Sequence, residues 1–189
     1  MKDLHSVWLM PEAADAAMLR ATIDDLAARF GAPPFEPHLT LVEDQARSLE
    51  DLLPEVERIA AGISTFASPV KAIGTSELYF RSFYALFEVG GPLLELKRRA
   101  IAAIASGRID DFMPHISLLY GLADGPRKRA AQSELEQGMT GRPIRFDRIC
   151  VVASAKEIPI DQWAVRGSFA LRGQVLADVA TPGDTGLRR

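Results

Sequence analysis

Cysteine, aromatic residues and long apolar runs are all scarce in this 189-residue sequence. It contains one cysteine, Cys150, and aromatic residues make up 7% of the chain. A single cysteine excludes an internal disulfide and a cysteine-based zinc site, and it fits a reducing compartment. The apolar run that ends at Pro11 is far shorter than a signal sequence or the roughly 20 residues needed to span a bilayer. We therefore expect a cytoplasmic protein with no membrane segment.

A strong net charge of either sign is also missing. The 22 Lys and Arg residues against 25 Asp and Glu residues give a formal net charge of −3, so the chain lacks the global positive field that holds a nucleic-acid backbone. Apolar residues at 48% and charged residues at 25% are typical of a globular protein with a real core. The length fits one compact domain. We expect that domain over residues 1–172 and a loose tail over residues 173–189.

Hydrophobic periodicity predicts alternating strands and helices. The segments follow one another as strand, helix, strand, helix, strands, helix, strand, helix and strands, which predicts an α+β sheet structure with helices on its outer faces. In the middle of the chain, the aromatic and β-branched segments 77–80 and 83–89 predict a hairpin connected by residues 81–82. Pro54 is predicted to lie in the first turn of a helix over residues 53–63.

One five-residue pattern occurs twice and contains two of the three histidines. Residues 37–41 read Pro-His-Leu-Thr-Leu, residues 114–118 read Pro-His-Ile-Ser-Leu, and the two histidines are 77 residues apart. Each copy follows a predicted helix and its loop. The repetition indicates a duplicated architecture of two related lobes, and it makes the pair of motifs far more informative than either motif alone.

The alternation of a strand places the chemistry of each motif on one face. His38 and Thr40 point to the same side of their strand, away from the neighbouring leucines, and His115 and Ser117 do the same in the second motif. If the two lobes face each other across a cleft, two imidazoles and two hydroxyls surround one small anion. One neutral imidazole can then take a proton from water while the opposite imidazolium protonates a departing oxygen. Thr40 and Ser117 would donate hydrogen bonds to the non-bridging phosphate oxygens.

The two motifs resemble those of the two-histidine (2H) phosphoesterases, which are defined by a pair of His-x-Thr/Ser motifs. The segments SVWLMPE at residues 6–12 and HISLLYG at residues 115–121 are most similar to the cyclic phosphodiesterase branch. The resemblance implies a bilobed, pseudo-symmetric fold with two antiparallel sheets that face a central cleft and helices outside. It also implies that His38 and His115 are the acid–base pair, and that Tyr120 lines the site.

The same resemblance suggests what the substrate is. The RNA-ligase-like branch carries a basic residue soon after its second motif, whereas Leu119 and Tyr120 stand here, and this difference favours a small cyclic phosphate. We expect metal-independent and cofactor-independent hydrolysis of a 2′,3′-cyclic nucleotide or of ADP-ribose 1″,2″-cyclic phosphate by a monomer. An RNA-end-processing or 2′–5′ RNA ligase-like enzyme and a non-catalytic nucleotide-binding module remain as alternatives. The near-identical motifs leave open which histidine is the acid.

Other residues have a simpler interpretation. His5 lacks the motif and is expected to be a strand-end residue. The aromatic residues Trp8 and Trp163 lie in strand patterns, where aromatic side chains are more often part of the core, so Tyr120 is the one aromatic site residue predicted. Two histidines without a third protein ligand do not predict a zinc site. The loops over residues 75–81, 121–127 and 155–162 are expected to shape specificity.

Overall fold

The structure is a computed structural model that describes residues 4–104, 108–154 and 158–173. Its seven strands in chain order are β1 (His5–Pro11), β2 (Leu39–Gln45), β3 (Phe66–Thr75), β4 (Phe83–Phe87), β5 (His115–Leu119), β6 (Pro143–Ala153) and β7 (Ala164–Ala170). Its four α-helices are α1 (Ala13–Phe30), α2 (Leu49–Ala60), α3 (Gly91–Ala103) and α4 (Pro126–Met139). The predicted order of strands and helices is confirmed in all but one segment.

All strand pairs are antiparallel, and the strand order is β1-β2-β5-β4-β3-β6-β7. The predicted α+β class, with helices outside the strands, is confirmed. In one respect the structure differs from the two separate sheets that were expected, because hydrogen bonds join all seven strands into one sheet. The 11-residue β6 makes one of the two connections, since its first residues pair with β3 and its later residues pair with β1 and β7, and the β2–β5 pair makes the other. The two halves therefore share one long strand.

One face of the sheet is apolar and carries the core. Leu39 and Leu41 on β2 and Ile116 on β5 have no exposed surface, and the core cluster continues into helices α1, α2 and α3. Fully burying an aliphatic side chain of this size stabilises a protein by about 1.5–3 kcal/mol. Because side chains alternate along a strand, this burial turns the histidines and hydroxyls of the same two strands toward the opposite face.

The segment over residues 77–80 was predicted as a strand, and this prediction was wrong. It lies in a loop between β3 and β4 that includes one turn of 3₁₀ helix, Tyr79–Arg81. The Ser76 hydroxyl closes the loop by donating to the Arg81 carbonyl at 2.6 Å and accepting from the Leu78 N–H at 3.3 Å. Such side-chain bonds compete with strand pairing for the backbone groups. The predicted hairpin with a connection at residues 81–82 is therefore not formed, and β4 pairs instead with β3 across the longer loop.

The second helix begins earlier than the proline suggested. Ser48 is the N-cap residue of α2, and its hydroxyl accepts a hydrogen bond from the Asp51 N–H at 3.1 Å. Pro54 therefore lies inside the helix and not in its first turn. The serine cap and the acidic first turn fix the start, as they do at many helix N-termini.

Of the predicted tail, Gly173 is described and forms a parallel bridge with Gly62, whereas residues 174–189 lie outside the described part of the chain. The prediction of a loose tail over those residues stays a prediction.

None of the helices in the described ranges has both the length and the apolar character that crossing a membrane requires.

Candidate active site

The two histidine-bearing strands meet at a single register pair. Leu39 on β2 lies opposite Ile116 on β5 in an antiparallel arrangement. Extending this register by one residue in each direction sets His38 against Ser117, and residue 40 against residue 115. All four side chains then share the face that points away from the core. The spatial arrangement inferred from the repeated motif thus follows from one backbone pairing.

The five predicted site residues line one cavity of about 740 Å³. His38, Thr40, His115, Ser117 and Tyr120 all contribute to its wall. Ten further residues complete the lining, namely Ser6, Trp8, Glu43, Asp44, Leu78, Tyr79, Phe80, Arg81, Ser154 and Trp163. By contrast, His5 is buried at the start of β1, where its Nδ1 lies 3.2 Å from the Arg47 carbonyl oxygen, and it does not line the cavity.

Both site histidines are held in the same way. The Nδ1 of His38 donates to the Glu36 carbonyl at 2.7 Å, and the Nδ1 of His115 donates to the Met113 carbonyl at 2.8 Å. A carbonyl oxygen only accepts, so each Nδ1 carries a hydrogen and each Nε2 is left to accept or donate a proton. The proline before each histidine restricts the residue before it to extended backbone, and that residue supplies the accepting carbonyl. The Pro-His pair therefore sets the tautomer in both halves.

Burial keeps both imidazoles neutral over a wider pH range than is usual for histidine. It lowers the pKa of His38 to about 4; the hydrogen bond to the backbone at residue 36 opposes this effect, and the nearby His115 adds to it. Burial also lowers the pKa of His115, with a further decrease caused by Arg81 and opposing effects from the backbone at residue 113 and the carboxylate of Glu43. The two histidines thus have different electrostatic surroundings although their motifs are nearly identical.

An aromatic ring supports each imidazole, but in different geometries. Trp8 on β1 is paired with Thr40 and stacks on His38 with ring centroids 3.6 Å apart and planes inclined by 9°. Tyr84 on β4 is paired with Ser117 and meets His115 edge-on at 5.4 Å. The pairing repeats in both halves, so the duplication extends from the motifs to their neighbouring strands. Trp8 is buried in a small apolar cluster with Met10 and Cys150, as expected of a core residue, and it also lines the cavity beside a site histidine.

A glycine makes room for the second of these rings. Gly74 on β3 pairs with Tyr84, and a Cβ atom built on Gly74 would lie 2.3 Å from the tyrosine ring. A Cβ at that distance is sterically excluded, so only glycine lets the ring of Tyr84 lie over the neighbouring strand. In that position the ring of Tyr84 is inclined by 68° to the imidazole of His115.

A group of aromatic side chains forms the rest of the apolar wall. Tyr120 stacks on Phe35 at 3.9 Å and contacts Phe80 edge-on at 5.2 Å, while Tyr79 and Trp163 lie 6.2 and 6.3 Å from its ring. Burial strongly raises the pKa of the Tyr120 phenol. Tyr120 is therefore a neutral phenol at all physiological pH values. Trp163, expected in the core, is partly buried against the core clusters and also lies on the cavity wall.

The Ser117 hydroxyl is already engaged. It donates to the Phe80 carbonyl at 2.8 Å, so it must rotate before it can donate to a phosphate. This bond also ties the β3–β4 loop to β5. The loop over residues 75–81, expected to shape specificity, supplies residues 78–81 of the lining.

The structure adds charged residues that sequence patterns did not single out. Glu43 and Asp44 follow Thr40 on β2, and Arg81 comes from the β3–β4 loop. Glu43 and Asp44 lie close after the first motif, which is a usable signal, whereas the sequence placed Arg81 only in a hairpin connection and in a loop expected to shape specificity. Within the described ranges, no group of three or more His, Cys, Asp or Glu side chains is arranged to hold a metal ion.

A family model and a curated relative that match this chain are described as cyclic phosphodiesterase-like and as a cyclic phosphodiesterase, respectively. The family model described as cyclic phosphodiesterase-like protein matches residues 4–171. A cyclic phosphodiesterase from Arabidopsis thaliana is 22% identical over 159 residues, which cover 82% of this chain and 88% of that protein. These matches span both histidine motifs.

Solved structures share the fold at low sequence identity. TT0787 of Thermus thermophilus matches with a TM-score of 0.64 and 21% identity, covering 90% of this chain and 99% of that one. LigT of E. coli, solved in complex with 3′-AMP, matches with a TM-score of 0.57 and 16% identity, covering 92% of this chain and all of that one. The overall arrangement of strands and helices is therefore common to these proteins.

Proposed function

The chain belongs to the cyclic phosphodiesterase-like protein family, within the two-histidine phosphoesterases, and on that premise we propose that it hydrolyses a small cyclic phosphate to a phosphomonoester. The substrate class is a 2′,3′-cyclic nucleotide or ADP-ribose 1″,2″-cyclic phosphate. The name of the Arabidopsis relative supports the reaction type. The complexes of LigT with phosphate and with 3′-AMP support a small phosphate-bearing ligand.

One observation carries the proposal: two imidazoles with the same fixed tautomer line one cavity. Because both Nδ1 atoms donate to backbone carbonyls, both Nε2 atoms are available for proton transfer. General acid–base catalysis needs one acceptor and one donor at hydrogen-bond distance from the reacting oxygens. If a phosphate ester binds between the two rings, one Nε2 can act as the proton acceptor and the other as the proton donor at the reacting oxygens.

The reaction follows from these two groups. The neutral Nε2 of one histidine accepts a proton from water as the water oxygen forms a bond to phosphorus. The protonated Nε2 of the other donates its proton to the ester oxygen as the bond between that oxygen and phosphorus breaks. Water is consumed and the cyclic diester becomes a monoester with a free hydroxyl. The two histidines exchange protonation states, so solvent must restore them before the next turnover.

Substrate binding favours protonation of the histidine that acts as the general acid. In the free protein, burial lowers the pKa of both imidazoles, which favours two neutral rings near neutral pH. An anionic phosphate between them favours the charged form and raises the pKa of the imidazole that it contacts. One proton is therefore taken up with the substrate, and the acid is formed where it is needed.

The cavity rim favours a small substrate over an RNA end. Glu43 and Asp44 line the cavity beside the histidines, and their carboxylates oppose the approach of a long polyanion. The net charge of −3 acts in the same direction. We propose that the protein is a monomer whose catalytic unit is residues 1–172, and we place it in the cytoplasm.

The test is an activity assay in the presence of EDTA. The protein is incubated with 2′,3′-cyclic nucleotides and, separately, with ADP-ribose 1″,2″-cyclic phosphate, and the products are followed by phosphorus NMR. We expect a phosphomonoester to form at the same rate with and without the chelator, because two histidines supply both proton transfers. The spectrum also identifies which ester oxygen leaves.

Other outcomes separate the alternatives. Activity that disappears in EDTA contradicts the metal-free mechanism. Nucleotide binding without product formation supports a binding module instead. Tight, strongly salt-dependent binding of RNA ends supports an RNA-processing enzyme, because release of counterions makes such binding fall steeply with salt.

A further inference from the structure

We infer that Arg81 is an anion-binding side chain of this cavity and that its guanidinium donates to a non-bridging oxygen of the substrate phosphate. This inference rests on the proposed function for the identity of the phosphate, although the anion site itself does not depend on turnover. Three observations support it: the hydrogen-bonding state of Arg81, the state of Ser117 and the distribution of charge around the cavity.

The guanidinium of Arg81 has unused donors. Its Nε atom is buried and has no hydrogen-bond partner in the described part of the protein. Its Nη1 donates only to the thioether sulfur of Met113 at 3.7 Å, and thioether sulfur is a weak acceptor. A buried donor without an acceptor is unfavourable and uncommon in folded proteins. A phosphate oxygen in the adjoining cavity is an acceptor of the right charge.

The Ser117 hydroxyl does not act as a hydrogen-bond donor to an anion in the present state. Its hydroxyl hydrogen is donated to the Phe80 carbonyl, so this hydrogen is not available to an anion until the hydroxyl rotates. The backbone that takes up this hydrogen immediately precedes Arg81. The same loop therefore withdraws the hydroxyl donor of β5 and introduces a guanidinium, which offers five donors in a planar fork.

The charge distribution points to the same side chain. Among the described residues that line the cavity, Arg81 is the one permanently positive side chain, and the acidic lining residues are Glu43 and Asp44. Arg81 forms no ion pair with any described carboxylate. Its charge acts on His115, where it lowers the pKa of the imidazole. An anion bound by Arg81 is thus held beside one of the two site histidines.

The test measures binding of inorganic phosphate, so it does not require turnover. Phosphate affinity is compared by calorimetry in the wild type, Arg81→Gln, Arg81→Lys and Arg58→Gln. Arg58 is a matched control because it is an exposed arginine on α2, paired with Glu55 and away from the cavity. Loss of a charge-assisted hydrogen bond should weaken phosphate binding about 10- to 100-fold in Arg81→Gln. Arg81→Lys should lose less, and Arg58→Gln should bind as the wild type does.

A second readout separates binding from a structural effect. The pKa of His115 is measured by NMR titration in the phosphate-free proteins. Because the charge of Arg81 lowers this pKa while Glu43 and the backbone at residue 113 raise it, we expect a higher pKa in Arg81→Gln and an unchanged one in Arg81→Lys. Far-ultraviolet circular dichroism and the melting temperature check the fold. If Arg81→Gln does not fold, Arg81→Lys carries the comparison, with a measurable loss of phosphate affinity expected.

The outcomes distinguish this inference from the proposed function. A folded Arg81→Gln protein that binds phosphate as tightly as the wild type overturns the inference even if hydrolysis is observed. A wild-type protein that binds no phosphate overturns it as well. Conversely, weakened phosphate binding in Arg81→Gln supports the anion site even if the wild type hydrolyses none of the cyclic phosphates, an outcome that would overturn the proposed reaction alone.

Discussion

The His38→Gln and His115→Gln proteins are each expected to hydrolyse a cyclic phosphate about 10²- to 10⁴-fold more slowly than the wild type. A glutamine amide neither accepts a proton from water nor donates one to a leaving ester oxygen near neutral pH. The double variant should be little slower than either single variant, because groups that act as a unit do not contribute additively. Steady-state kcat/KM values for the three proteins test these expectations.

Two control variants, His5→Gln and Ser117→Ala, test whether the loss of activity is specific to the two site histidines. His5→Gln removes the third histidine, which is buried outside the cavity lining, and should leave kcat/KM close to the wild-type value. Ser117→Ala should cost less than either histidine substitution, because the hydroxyl supplies one hydrogen bond and no proton transfer. Hydrolysis by His38→Gln within twofold of the wild type would remove that histidine from the reaction.

The unfolding free energy of the wild type is expected to fall steeply as the pH decreases from 6.5 to 4, and His38 is the main identified cause. Burial lowers the pKa of His38 in the folded protein to about 4, whereas histidine in an unfolded chain has a pKa near 6.5. In this window the unfolded state binds more protons than the folded state, so stability is retained above pH 6.5 and lost toward pH 4. At 1.36 kcal/mol per pKa unit, the loss amounts to roughly 3 kcal/mol.

Urea unfolding between pH 4 and pH 7.5 measures this effect. In His38→Gln the loss over the same window should be smaller by about that amount, because the residue that resists protonation is gone. The lowered pKa of His115 contributes a loss of the same sign that both proteins share. Parallel curves of unfolding free energy against pH for the two proteins would show that His38 is not kept neutral by the fold.

The sequence was sufficient to predict which face of each strand the four motif side chains share, because that face depends on a local rule. Strand alternation fixes which side chains share a face, and the apolar neighbours Leu39 and Ile116 fix which face is buried. The contact between the two strands did not follow from either segment alone. It depends on one register pair, Leu39 with Ile116, and a pairing between distant segments is set by the packing of the whole sheet.

The residues that were missed depend on tertiary context. Trp8 alternates with buried residues as a core residue does, and only its pairing with Thr40 places it against His38. Arg81 was predicted in a short hairpin connection after a strand over residues 77–80, whereas the Ser76 hydroxyl turns that strand segment and Arg81 into one longer loop. Side-chain bonds that reshape a loop leave little trace in the periodicity of the sequence.

A crystal structure of the protein with bound inorganic phosphate tests the central claim most directly. We predict one phosphorus atom between the two strands, with the Nε2 of His38 and the Nε2 of His115 each about 2.6–3.2 Å from a different oxygen. Phosphate that contacts only one of these imidazoles, or that binds elsewhere on the protein, would contradict the claim that the two motifs act on the same phosphate.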